Sequence, residues 1–219
     1  MNTKALVLCD DYWHPAKTPR AGLQHLAGAA SDIAFDWMED ARDWPALRIR
    51  DYPLIVLVKS NNVSAHDEAR WMTEDVQAAL VTYVRQGGGL LAVHSGTAGY
   101  KEAPALRALL GGVFDMHPPQ CRVTIAPCEV NACTAGVESF TVQDEHYFML
   151  MEDAPVDVFL KSTSEHGEQP AGWLRTEDRG RVVVLTPGHN VDVWLHPQFQ
   201  MLLRNAMKVC AGAPLPWLI

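Results

Sequence analysis

Apolar positions in this chain fall into short unbroken runs, separated by stretches of helical or mixed spacing. Residues 5–9, 54–58 and 90–93 are continuous apolar runs, the pattern of strands covered on both faces, and 182–186, apolar up to Thr186, reads as another buried strand. Residues 33–37 alternate apolar and polar and read as a further strand. Thr18 as N-cap with Pro19 at the first helical position opens a helix running to about Ala30. Trp71, Val76, Leu80, Val81 and Val84 recur at roughly helical spacing, which predicts a helix over 67–86 stopped by Gly87, Gly88 and Gly89. Residues 104–110 and 197–210 complete the helices, the last with Phe199, Leu202, Leu203, Ala206 and Val209 on its apolar face.

Strands alternating with helices predict an α/β fold: a doubly wound, mostly parallel sheet with helices on both faces. The middle third differs. Residues 122–126, 138–142, 156–162 and 171–175 look like strands joined without long helices, so an antiparallel extension to the sheet is expected there. With 219 residues, 48% of them hydrophobic, the chain fits a single domain over 1–219.

A formal net charge of −8 argues against nucleic acid and anionic membrane as partners, since both need a basic face. The first ten residues do not read as a signal peptide, and no stretch approaches a membrane span. Five cysteines without a paired motif read as reduced thiols, so a cytoplasmic location is expected. Cys121, Cys128 and Cys133 lie close in sequence but lack the C-x-x-C spacing of a zinc site. The apolar tail over 214–219 is expected to dock on its own domain or on a second subunit, and a homodimer would cover it.

In open parallel sheets, ligands bind outside the carboxyl ends of the strands. That rule ranks the histidines. His94 directly follows a central strand, His189 follows the last core strand, and His14 lies just beyond the first. His117 sits in a loop before two prolines, and Asp144, Glu145 and Tyr147 end another strand. His25, His66, His166 and His196 follow no core strand and read as structural or solvated; His146 is ambiguous beside Glu145. Several ionisable groups converging on one sheet edge point to a shared site. Ala92-Val93-His94-Ser95-Gly96 has the frame of a nucleophile elbow with His94 at its apex, one residue from Ser95.

The run Gly87-Gly88-Gly89-Leu90-Leu91-Ala92-Val93-His94 resembles the ThuA-like, or trehalose utilisation, family. So do Gly111-Gly112-Val113-Phe114 with His117-Pro118, Asp144-Glu145 with Tyr147, and the stretch from Pro170-Ala171-Gly172-Trp173 through Gly180-Arg181-Val182 to Gly188-His189. The resemblance implies a flavodoxin-like fold similar to the class I glutamine amidotransferase domain, and a link to carbohydrate metabolism. The catalytic cysteine of amidotransferases is replaced here by His94, which removes ordinary amidotransferase chemistry.

The expected function is therefore conversion of a sugar or keto-sugar, a small-molecule carbohydrate. His94, His189 and Glu145 are the candidate catalytic groups, working as acid and base or holding a metal. His14, His117, Asp144, Tyr147 and Ser95 are the candidate substrate contacts. Imidazoles with a carboxylate also suit a divalent, zinc-like ion, with His94, His117, Glu145 and His189 as the candidate ligands. Trp13, Tyr147, Trp173 and Trp194 are candidates to stack on a sugar ring. The alternative is a non-catalytic carbohydrate-binding or regulatory module using the same pocket, and a weaker one is a hydrolase using Ser95 or a cysteine.

Overall fold

The computed structural model describes residues 3–29, 33–44 and 48–212. The tail at 214–219 and the helix end at Ala30 lie outside them. In chain order the elements are β1 (Thr3–Cys9), α1 (Lys17–Ala29), β2 (Ile33–Met38), β3 (Leu54–Val58), α2 (Glu74–Arg85), β4 (Gly89–Val93), α3 (Pro104–Leu110), β5 (Gly112–Met116), β6 (Cys121–Pro127), β7 (Phe140–Asp144), β8 (Phe148–Met151), β9 (Asp157–Ser164), β10 (Gly167–Glu177), β11 (Gly180–Leu185), α4 (Val191–Leu195) and α5 (Pro197–Cys210).

Nine strands form one sheet in the order β2-β1-β3-β4-β11-β10-β9-β6-β7. The first five are parallel, β2-β1-β3-β4-β11, which is the flavodoxin-like order. From β11 onward every pairing is antiparallel, as expected for the middle third. Alternating side chains of each parallel strand feed two cores. Ala5, Val7 and Cys9 of β1 face α1 and α5 with Leu23, Leu26, Phe199 and Leu203. Leu6 and Leu8 face the opposite layer, where Val76, Leu80 and Val84 of α2 meet Leu106 and Leu110 of α3. β5 and β8 pair as a separate ribbon, not foreseen from the hydrophobic pattern.

The helix expected over 67–86 begins only at Glu74. Thr73 caps it by accepting from the Val76 N–H, with Glu74 and Asp75 in the first turn. Trp71 and Met72 belong to the loop after β3 instead: the Trp71 indole donates to Ser60 O and the Met72 N–H to Asn61 Oδ1. The place of Trp71 in the apolar spacing reflects burial in that loop, not a helical face. β7 is shifted two residues from the expected 138–142, which puts Asp144 at its end. No described helix is long and apolar enough to cross a membrane.

Candidate active site

Four strand ends meet at the carboxyl edge of the sheet. After β1 the chain turns sharply through Asp10, whose φ is +72°. Asp11 then organises the loop. Its Oδ1 accepts the backbone N–H of Trp13 (2.9 Å) and His14 (3.0 Å) and the Nδ1–H of His14 (2.9 Å). Its Oδ2 accepts the Ser60 N–H from the loop after β3, at 2.8 Å. The Asp11 carboxylate is almost fully buried, which alone would raise its pKa. These donors and His14 outweigh burial and hold it below the usual value. With Nδ1–H committed to Asp11, His14 keeps its Nε2 lone pair for the cavity.

After β4, His94 takes a left-handed backbone, φ +49°, rare for a residue with a side chain and frequent at functional turns. Thr97 Oγ1 donates to His94 O at 2.8 Å and closes the turn. Gly96 makes it possible: a Cβ there would lie 2.0 Å from the Leu57 carbonyl oxygen of β3. Gly96→Ala is accordingly expected to destabilise the chain by about 2 kcal/mol or more. A thermal melt superimposing on the parent's would contradict that close approach. The His94 Nδ1–H donates to Thr186 O at 2.9 Å, leaving Nε2 as a lone pair turned inward. Burial lowers the His94 pKa and favours the neutral ring.

After β11, Gly188 and His189 donate their backbone N–H groups to the Asp144 carboxylate, at 2.8 and 3.0 Å. Asp144 is buried and takes no place in the cavity wall; it fixes the loop that carries His189. Burial raises its pKa, opposed by His94 and by those backbone donors.

Glu145, the next residue, reaches into the cluster. Its Oε2 is 3.3 Å from His94 Nε2, and its Oε1 is 3.1 Å from His189 Nδ1 and 3.4 Å from His117 Nε2. Burial pushes the Glu145 carboxyl up, but His189 and His94 outweigh it and hold the group well below the carboxylate range. In turn the Glu145 carboxylate raises His189, against burial. Neither His94 Nε2 nor His189 Nδ1, both buried, makes a hydrogen bond of proper geometry. Donor atoms of His14, His94, Glu145 and His189 all lie within 4.8 Å of one another.

The cluster opens onto a cavity of about 460 Å³ whose wall includes Trp13, Asn61, Phe114, His117, Glu145 and Tyr147. Tyr147 stacks on His94 (centroids 4.1 Å apart) and packs against Phe114 (4.2 Å). His117 stands on the wall outside the four-residue group, its Nδ1–H donated to Pro118 O at 2.8 Å. Ser95 is fully buried and does not line the cavity. His146 points away from the cavity and is held by Ser164 Oγ (2.8 Å) and Ser162 Oγ (3.1 Å). Of the aromatic candidates, Trp173 and Trp194 are completely buried, whereas Trp13 is 69% exposed at the rim. Cys9, Cys121, Cys133 and Cys210 are buried and Cys128 exposed, and they form no metal-binding group among the described residues. Sequence reasoning passed over Asp11 and the Ser60–Asn62 wall; Asp11, three residues before His14, was the available signal.

The family model described as trehalose utilisation, ThuA, matches residues 4–209. The chain belongs to the ThuA family. That association gives this ThuA-family chain a carbohydrate-related role. Among solved structures, a ThuA-like protein from Parabacteroides merdae ATCC 43184 has a TM-score of 0.79 at 15% identity, covering 100% of this chain and 93% of that one. Another, from Bacteroides uniformis ATCC 8492, has a TM-score of 0.69 at 19% identity, covering 94% and 89%. A β-galactosidase from Rahnella sp. R3 matches over 98% of this chain but only 32% of its own, with a TM-score of 0.67 and 15% identity. At these identities the likeness is one of fold. No curated protein matches the sequence.

Proposed function

We propose that this ThuA-family chain is an enzyme that converts a sugar or keto-sugar at the His14–His94–Glu145–His189 cluster, and that these four side chains hold a divalent, zinc-like ion. One observation carries the reading: three imidazoles and one carboxylate offer donor atoms within 4.8 Å of one another beneath a cavity with aromatic walls. The donor set fits such an ion, because two of its buried ring nitrogens lack hydrogen bonds and the rings of His14 and His94 are each fixed from behind. His14 takes the place that the sequence assigned to His117.

Such an ion supplies Lewis acidity toward a sugar carbonyl or hydroxyl. The rest falls to the chain. Asp11 and Thr186 O set the tautomers of His14 and His94. His117, anchored through Nδ1 and with Nε2 toward Glu145, is placed to exchange a proton with a substrate in the cavity. Trp13, Phe114 and Tyr147 give apolar faces for ring C–H groups. His94 at the elbow leaves no thiol for a covalent amidotransferase route.

Elemental analysis of the purified chain, with turnover of keto-sugars and disaccharides followed by NMR before and after chelation, tests the reading. A preparation that binds no divalent ion and converts no sugar would sink it. Sugar binding without turnover, unchanged in His94→Ala, would favour the binding-module alternative. Asp11→Ala is expected to weaken Zn²⁺ binding about 10- to 100-fold in calorimetric titration, the usual effect of losing a carboxylate behind a histidine ligand. Unchanged affinity would show that His14 needs no such support.

A further inference from the structure

We infer that Lys59 is the positioning residue that holds His14 in the cluster. The inference rests on the reading of that cluster as the reactive centre.

Lys59 directly follows β3, and its side chain is completely buried. Four backbone carbonyls share its three ammonium N–H donors: Asp10 O (2.8 Å), Asn62 O (2.8 Å), Val63 O (3.0 Å) and, longest, Glu39 O (3.3 Å). Those carbonyls belong to the loops after β1, β2 and β3, so one cation ties three loops at the switch point where flavodoxin-like sheets bind ligands. A buried ammonium is costly unless its protons are accepted, and these carbonyls accept them; Val63 O also takes the Ala41 N–H, at 2.8 Å. Burial draws the Lys59 pKa down from the ordinary lysine value, against the pull of Asp11 and Asp10.

The path to His14 is short. Asp10, whose carbonyl Lys59 holds, is the residue at φ +72° that turns the chain into Asp11. Ser60, next to Lys59, donates its N–H to Asp11 Oδ2, and Asp11 Oδ1 holds the His14 ring. Tyr100 fixes Lys59 from the other side by donating its hydroxyl to Lys59 O at 2.7 Å. Lys59 thus anchors the backbone on both sides of this contact, at Asp10 and beside Ser60, and through the Asp11 carboxylate the His14 tautomer. His94 is held independently, by Thr186 O.

That independence supplies the test. The imidazole N–H signals of His14 and His94 are recorded by NMR on the ion-free chain and assigned with His14→Gln and His94→Gln. In Lys59→Met the His14 Nδ1–H signal is expected to vanish into exchange while that of His94 persists, and Zn²⁺ affinity is expected to fall about tenfold. Both signals persisting, or both vanishing from a chain with intact circular dichroism, would overturn the assignment. Should Lys59→Met not fold, Lys59→Gln is read in its place. Failure of both to fold would also overturn it, since the task assigned is local. A parent chain that takes up no Zn²⁺ refutes the metal reading alone, because the imidazole signals need no ion.

Discussion

Glu145→Gln is expected to lower Zn²⁺ affinity by about a hundredfold or more and to remove turnover, with the fold intact. Glu145 is the one carboxylate in the four-residue group and touches ring nitrogens of His94, His117 and His189 at 3.1–3.4 Å. Glutamine keeps the shape but not the charge, so the loss isolates electrostatics and ligation from packing. Losing a residue that merely supports a ligand already costs roughly 10- to 100-fold, and a direct ligand should exceed that. Calorimetric titration with Zn²⁺ and a sugar-conversion assay measure the two effects. A Glu145→Gln chain that binds the ion as the parent does would remove Glu145 from the ligand set.

Trp194→Ala is expected to destabilise the chain by about 3–5 kcal/mol. The indole is fully buried, and a Cβ on Gly22 of α1 would lie only 2.7 Å from it, so α1 rests directly on the ring. It also meets Phe199 of α5 edge-on, with centroids 5.8 Å apart. Its N–H donates to Gly188 O at 2.7 Å, and Gly188, at φ +136°, is the turn before His189. For a chain of this size the melting temperature should fall by about 10 °C or more. Trp194→Phe separates the roles: it keeps most of the packing but strands the Gly188 carbonyl, costing about 1–3 kcal/mol. If both variants melt within a degree or two of the parent, the ring neither supports α1 nor fixes the turn.

Much of this arrangement was legible in the sequence, for a physical reason. A strand buried on both faces must be apolar throughout, so the first polar residues after it mark the sheet edge; His94 after β4 and His189 after β11 are cases of this. The parallel half was readable because α1, α3 and α5 cover it with clear apolar faces. The start of α2 was not, because Trp71 falls at roughly helical spacing with Val76 and Leu80 while burying itself under a loop. His14 and His117 look equivalent in sequence, each a histidine before proline. What separates them is a long-range contact, the Ser60 N–H on Asp11, which local spacing does not encode. Lys59 was hidden for the same reason: its four acceptors come from three loops that meet only in the folded chain.

Glu145 follows β7, the outermost strand of the antiparallel extension, whereas the three histidines follow strands of the parallel block. The carboxylate and the imidazoles therefore meet only after β9 and β10 have bridged the two halves. A chain with the parallel block formed and the extension still loose presents three imidazoles without their acid. On the proposed reading, an ion that needs all four would bind the finished sheet in preference to such an intermediate, and would so act as a latch that resists peeling of the far edge. Trimming or circularly permuting the chain within that extension would unfasten it while leaving the histidine half intact.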